Sequence, residues 1–538
     1  MPLLQHLARL ESSGLIRLAA VQPELEYLFR HALVQDAAYG SLVKQDRRQL
    51  HRAVGEALEQ LYPERLEEIA PLLAQHFAEA GDAARALHYF TRAGDAAARV
   101  YANVEALAHY TRAIEIARRV PSLVALASFP GQTEEGILIH LYTSRGRVLQ
   151  LNTQFDDALG NYAEMEALAH DRHDRALELA ALMARATLHA THNPLYDPAQ
   201  GRALLEQALA LARDPLTRDR AAESKISWNL MILYVYAGHD MSEAIAYGEQ
   251  SLALARELNL RDQLAFTLND LFYAYLTFGD MERALAAQME ARDLWRELSN
   301  LPMLADNLAS FSVSYFLLGA YEQALSLQVE ALQINRSIGN VAGQASNLML
   351  VGNVYLERGQ PDKAIEIMQE AIRLGEPVGI LTTLTGTRAD LGWVYGTLGA
   401  VEQGIELARL ACASAAGEKV AHLLRPWTAA VLARLHLLNG EVAEAEAAVQ
   451  EAQRHLRPGS FFLGPILVAL AETELALAQH DYARTVERAD DLLARLSQRR
   501  IRPFSPGVLY LKGRALLALG QTGAAEAVLR AVQTEAQA

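Results

Sequence analysis

The sequence holds one cysteine, Cys412, and five lysines against 44 arginines. A lone thiol forms no disulfide or zinc cluster within the chain, which fits a reducing cytoplasm. Glycine and proline are scarce, 33 and 17 in 538 residues, so few positions break a helix. No apolar run reaches the roughly 18 residues that span a bilayer, and Glu11 stands where a signal peptide would be cleaved. A phosphate-binding loop needs Gly-Lys so that the lysine meets phosphates at a helix N-terminus. The residues before Lys44, Lys225, Lys363, Lys419 and Lys512 are Val43, Ser224, Asp362, Glu418 and Leu511, so the chain has no such loop. HExxH, GxSxG and CxxC are also missing. Positive charge is short too: 49 basic against 64 acidic residues leave a net −15, which opposes nucleic-acid backbones and anionic membranes. These absences point to a non-enzymatic cytoplasmic protein without cofactor or metal, whose partners are neither membrane nor nucleic acid.

Apolar residues make up 51% of the chain and charged ones 21%, enough for an extended core. The dominant pattern is a period. Gly238, Gly279, Gly319, Gly359 and Gly399 are spaced by 41, 40, 40 and 40, and the frame continues through Gly440, His480 and Gly520. Four residues before the first five stand Tyr234, Tyr275, Tyr315, Tyr355 and Tyr395. Five residues after come Ala284, Ala324, Ala364, Gly404, Ala445 and Ala525; twelve after come Ala291, Ala331, Ala371, Ala411 and Ala452. Glycine ends a helix, and small side chains let a second helix approach the first. Each unit therefore reads as a helical hairpin.

The frame resembles the tetratricopeptide repeat, with Gly352, Gly392 and Gly513 matching its first small position. The resemblance implies an all-α solenoid, a right-handed superhelix of hairpins. Its units are 40 residues instead of the usual 34, with the extra length expected at joints such as Leu258–Leu260 and Leu298–Asn300. Residues 221–538 hold the regular units. Residues 63–220 hold irregular ones, fitting at Gly81, Tyr101 and Asn152, with a longer turn at Pro194 and Pro198.

Residues 1–62 differ: a helix ended by Gly14, a strand pair turning at Gln22 and Pro23, then a helix entered at Phe29–Ala32, together a small winged-helix-like segment. The string from Phe29 to Tyr39, FRHALVQDAAY, resembles the segment that joins the ATPase core to the repeat array in bacterial signalling ATPases, among them nucleotide cyclases and LuxR-type regulators. That implies a regulatory arm lacking its ATPase domain, with an ATPase as partner or parent. The segment's charges, Arg9, Arg17, Arg30, Lys44, Arg47, Arg48 and Arg52 against Glu11, Glu24, Glu26, Asp36, Asp46, Glu56 and Glu59, sum to zero, which is poor for DNA. A DNA-binding regulator and the C-terminal remnant of a class III cyclase are the alternatives.

Other candidates are weaker. His170, Asp171, His173, Asp174, His189 and His192 flank a proline-rich turn and read as a solvated turn rather than a metal site. Cys412 reads as a buried inert thiol, and Arg499, Arg500 and Arg502 as charge compensation at a helix end. In the tetratricopeptide family the inner wall is lined by the first helix of each hairpin. Its groove positions, at thirteen, ten, six, three and two residues before each glycine, select Trp228, Tyr236, Asn269, Tyr273, Phe316, Asn353, Glu357, Trp393, Trp427 and Arg434. Aromatics, arginine and amides dominate binding patches. The expected partner is a protein or peptide, with a small regulatory ligand as a further candidate. The family's carboxylate clamp also needs a lysine, and Met349 stands in its place. The reading is a protein-interaction and sensing scaffold in signal transduction.

Overall fold

A computed structural model describes residues 3–20, 26–100, 102–119, 133–190, 193–237, 240–416, 421–457, 460 and 462–537. The expected turns at Gln22–Pro23, Tyr101 and Gly238, and the candidate His192, lie outside them. The chain divides into two compact units, Met1–Arg185 and Ala186–Ala538.

The first unit begins with α1 (Leu3–Ser12), β1 (Ile16–Ala20), β2 (Glu26–Phe29), α2 (Ala32–Ser41) and α3 (Lys44–Leu61). Gly14 follows α1 at φ +73°, and the strands pair antiparallel with Ile16 opposite Phe29. Then come α4 (Ala70–Ala80), α5 (Ala83–Arg99), α6 (Asn103–Ala117), α7 (Glu134–Leu151), α8 (Phe155–Arg172) and α9 (Arg175–Ala190), which reaches past Arg185. Helix α3 rests on α4 where Gly55 has no side chain; a Cβ there would lie 2.8 Å from the Phe77 ring. Arg85 of α5 then ties α3 down, pairing with Glu56 and Glu59 at 3.1 Å, while the Tyr89 hydroxyl donates to Glu59 at 2.6 Å.

The second unit adds α10 (Pro198–Arg213) and eight hairpins: α11 (Arg220–Ala237) and α12 (Met241–Glu257), α13 (Arg261–Phe278) and α14 (Met281–Glu297), α15 (Leu301–Leu317) and α16 (Tyr321–Ser337), α17 (Val341–Glu357) and α18 (Pro361–Gly375), α19 (Leu381–Thr397) and α20 (Val401–Ala416), α21 (Ala421–Leu438) and α22 (Val442–His455), α23 (Leu463–Ala478) and α24 (Tyr482–Gln498), α25 (Ser505–Ala518) and α26 (Thr522–Gln537). This is an all-α solenoid of hairpins, and among the described residues β1 and β2 are its only sheet.

The hairpin turns have one construction. Gly279 takes φ +102°, and Gly279 and Asp280 both return their N–H to the Tyr275 carbonyl, satisfying the end of α13. The Asp280 carboxylate then accepts the Arg283 N–H and starts α14. His480, in the glycine's place, also adopts positive φ, 62°. Helix pairs close on small residues: Ala284, Ala291, Ala324, Ala331, Ala364 and Ala371 have no exposed surface, and a Cβ on Gly392 would meet the Gly404 carbonyl at 2.7 Å.

The added length is not at the joints. Only Leu258–Leu260 separate α12 from α13, and only Leu298–Asn300 separate α14 from α15, while α12, α14, α15, α16 and α17 each run 17 residues. The helices themselves are longer, because each joint turns on a single left-handed residue, Asn259, Ser299, Gly339 or Gly379, which reverses the chain at once. Buried amides set the register between hairpins: Asn307 donates to Gln288, and forty residues on, Asn347 donates to Gln328.

Candidate functional site

Residues at thirteen, ten, nine, six and two before the turn share one face of the first helix of each hairpin, since steps of three, four and seven return to one side. Six of the ten groove residues named from the sequence, Phe316, Asn353, Glu357, Trp393, Trp427 and Arg434, line one cavity of 190 Å³. Leu463, Leu467, Leu470 and Phe504 complete its wall from the later hairpins. Trp393, Arg434 and Gly507 are shared with a neighbouring cavity of 550 Å³. Glu357, Pro503 and Gly507 are shared with another of 1160 Å³.

Three polar groups of the small cavity, Arg434, Asn353 and Asp390, are held in place. Arg434 lies over the Trp393 ring, 3.6 Å from its centroid, and gripped by Glu474 through two bonds of 2.9 and 3.0 Å. The Asn353 amide donates to Asp390 at 2.8 Å. Burial pushes the Asp390 carboxyl up to about 7, against the pull of hydrogen bonds from Asn353 and Trp427. Glu357 stays open to solvent, yet the surrounding wall still pushes its carboxyl up to about 7 by desolvation, against the Arg434 charge.

The other four, Trp228, Tyr236, Asn269 and Tyr273, lie outside that cavity and gather around Asp270 and Asp306. The Trp228 indole donates to Asp270 at 2.8 Å. The Asn269 amide reaches Asp270 at 3.3 Å and Asp306 at 3.1 Å, and the Tyr273 hydroxyl meets Ser310 at 3.1 Å. Burial raises the Asp270 carboxyl to about 7 despite the Trp228 N–H, and the Asp306 charge adds to the rise. Asp306 is exposed at the surface, yet its carboxyl is also raised by desolvation. Tyr236 is pushed up to about 12 by burial, with both carboxylates contributing.

Sequence reasoning passed over four carboxylates. Asp270 and Asp390 both stand nine residues before their turn, a position not sampled; Asp306 and Glu474 stand at sampled positions, thirteen before Gly319 and six before His480, and were left out. The available signal was the recurrence of acid on a face otherwise rich in aromatics and amides.

The remaining candidates have ordinary roles. His170 meets Glu178 at 3.4 Å, His173 caps α8 at φ +55°, the Asp174 side chain accepts from Leu177, and His189 is buried with Nδ1 2.9 Å from the Leu195 carbonyl. Among the described residues no three His, Cys, Asp or Glu side chains are placed to share a metal. Cys412 is half-buried rather than buried, its thiol pushed up by burial. Arg499 and Arg502 do not serve their own joint: their side chains lie against the turns at Gly279 and Gly319, and the Arg502 N–H donates to the Leu317 carbonyl at 2.8 Å. Among the described residues no helix is long and apolar enough to cross a membrane.

No curated protein matches the chain. Among solved structures, BtubC (BKLC) from P. vanneervenii is 22% identical, with 41% of this chain and 88% of that one covered at a TM-score of 0.36. A Rap protein complexed with competence and sporulation factor is 14% identical, with 69% and 98% covered at 0.48. Aspartyl phosphate phosphatase F from Bacillus subtilis is 11% identical, with 70% and 95% covered at 0.45. The tetratricopeptide repeat family model matches residues 307–376, which supports a tetratricopeptide region over the hairpins that carry Phe316, Asn353 and Glu357.

Proposed function

We propose that this chain is a non-catalytic binding module whose second unit holds an extended segment of a partner protein or peptide along its inner wall. The observation that carries this reading is the convergence of six aromatic, amide and charged side chains from four hairpins on one cavity that adjoins two others. A row of adjoining openings suits a chain that places successive side chains into successive cavities. The tetratricopeptide match over residues 307–376 supports a protein partner.

The test is a titration of capped hexapeptide pools into the full chain, followed by tryptophan emission, since Trp393 and Trp427 line the cavity. Saturable binding, weakened about tenfold by Asn353→Ala, is the expected result, the size set by releasing one charge-assisted hydrogen bond in the wall. No saturation by any pool would end the reading.

We further place the module as the cytoplasmic regulatory arm of a bacterial signalling ATPase, with the first segment as the relay. Support comes from the FRHALVQDAAY string and from the exposed Leu3, Leu4, Leu33 and Val43 around it. The reading frame upstream of the Met1 codon tests this: an ATPase domain ending there supports it, and its absence both there and in neighbouring genes removes it.

A further inference from the structure

Ion pairing is uneven across the second unit. Several acids elsewhere in its hairpins pair with arginine: Arg220 with Glu257, Arg256 with Glu290, Arg261 with Glu297, Arg296 with Glu330 and Arg388 with Glu376. Asp270, Asp306 and Asp390 on the inner wall are held only by neutral donors, from Trp228, Asn269, Asn353 and Trp427. Neutral donors orient a carboxylate without cancelling its charge. Among the described residues Glu357 makes no hydrogen bond or ion pair and feels only the charge of Arg434. Among the described residues the one cation lining the 190 Å³ cavity, Arg434, is committed to Glu474 and the Trp393 face.

The size of the cavity limits its occupant. At 190 Å³ it falls below the roughly 300–1,000 Å³ of sites that enclose whole small molecules, so it has room for a single side chain. Its walls are apolar and aromatic, from Phe316, Trp427, Leu467 and Phe504, with Glu357 where it meets the larger cavity. A long aliphatic stem with a cationic tip matches that distribution.

We propose that the small cavity is an anchor site for a lysine or arginine side chain of the bound peptide, its stem against Trp427 and Phe504 and its cation against Glu357. The proposal rests on the peptide-binding reading above and deepens it. An acidic or C-terminal carboxylate occupant would meet Glu357 and Asp390 with no free cation in the cavity. The adjoining 1160 Å³ cavity carries Arg500 and Arg502 as well as Glu357, so the anchor is confined to the smaller one. Desolvation already lifts the Glu357 carboxyl, and an arriving cation would restore its charge.

The experiment uses N-acetylated, C-amidated hexapeptide pools with one position fixed as lysine, arginine, norleucine or glutamate and the rest uncharged. They are titrated into the full chain and into Glu357→Gln. The expected result is binding of the lysine and arginine pools about tenfold tighter than the norleucine pool, with glutamate weakest, as a partly desolvated charge pair allows. In Glu357→Gln the preference should fall to about threefold or less while norleucine affinity stays unchanged. Saturable binding with no basic preference, or a preference that Glu357→Gln leaves intact, overturns the anchor and leaves the peptide reading standing. Failure of every pool to bind overturns both.

Discussion

Residues 3–61 and the hairpins from Met241 to Ala416 have similar helical texture but opposite burial. Among the described residues of the N-terminal stretch only Ile16 and Gly55 are buried, while Leu3 and Leu33 expose 73% and 80% of their surface. In the hairpins the alanines at both small positions are wholly covered. The difference follows from repetition. A hairpin in an array is covered by its own partner helix and by the next unit, so every small position finds an opposing surface. The helix–hairpin–helix segment lacks that repetition: α3 rests on α4 through Gly55 and Phe77, while α1 and α2 leave their apolar residues outward. Stability therefore belongs to the array, and the segment's apolar face is free to serve contact.

The largest test of that contrast is Trp295→Ala. Trp295 is fully buried, with Phe266 edge-on at 4.9 Å between ring centres. Its loss should cost about 3 to 5 kcal/mol, read from the denaturant midpoint. Trp393→Ala should cost only about 1 to 2 kcal/mol, because that ring is half-buried and its face is covered by Arg434. Equal losses would mean that Trp393 is a packing residue and that the groove is core.

The repeat geometry was legible because it depends on residues that local sterics dictate. A left-handed turn favours Gly279 or Gly319, and a close helix crossing admits Ala284 or Gly404; these recur at a fixed step whatever lies between. The wall was legible only in part. Aromatics and amides at set offsets name Trp393 and Asn353, but the carboxylates they hold belong to the next hairpin: Asn353 reaches Asp390, and Trp228 reaches Asp270. Such pairs are 37 and 42 residues apart, and only the stacking distance between hairpins brings them together. The docking of Arg499 and Arg502 on turns at Gly279 and Gly319 was hidden for the same reason. It depends on how far the array curves, a sum of small rotations that no single repeat encodes.

A second test uses pH. Asp270, Asp390 and Glu357 titrate near 7 in the folded chain, against roughly 4 when unfolded. Between these values the folded state holds protons that the unfolded state has released. Stability should therefore fall as pH rises from about 4 to 7 and level off above. Glu357→Gln should remove part of that slope and raise the midpoint at pH 8 relative to pH 5. The gain should stay under about 1 kcal/mol, since the side chain's exposed edge is screened by water. A flat profile between pH 4 and 7 would show that the wall is better solvated than its geometry implies.

The smallest expected effect bears most directly on the contrast. Leu3 and Leu33 lie in helices α1 and α2, where no residue is buried. Replacing both by serine removes two exposed apolar side chains without emptying a packed site, so the midpoint should shift by no more than about 0.5 kcal/mol. The helix content, set almost wholly by the hairpins, should not change. What should change is the tendency of the chain to self-associate, since serine breaks an exposed apolar surface. Sedimentation of the double variant beside the parent checks this, and the denaturant midpoint of the same samples checks stability. A loss of 2 kcal/mol or more would mean that these side chains are already covered by the chain itself, and the segment would have to be counted with the array rather than against it.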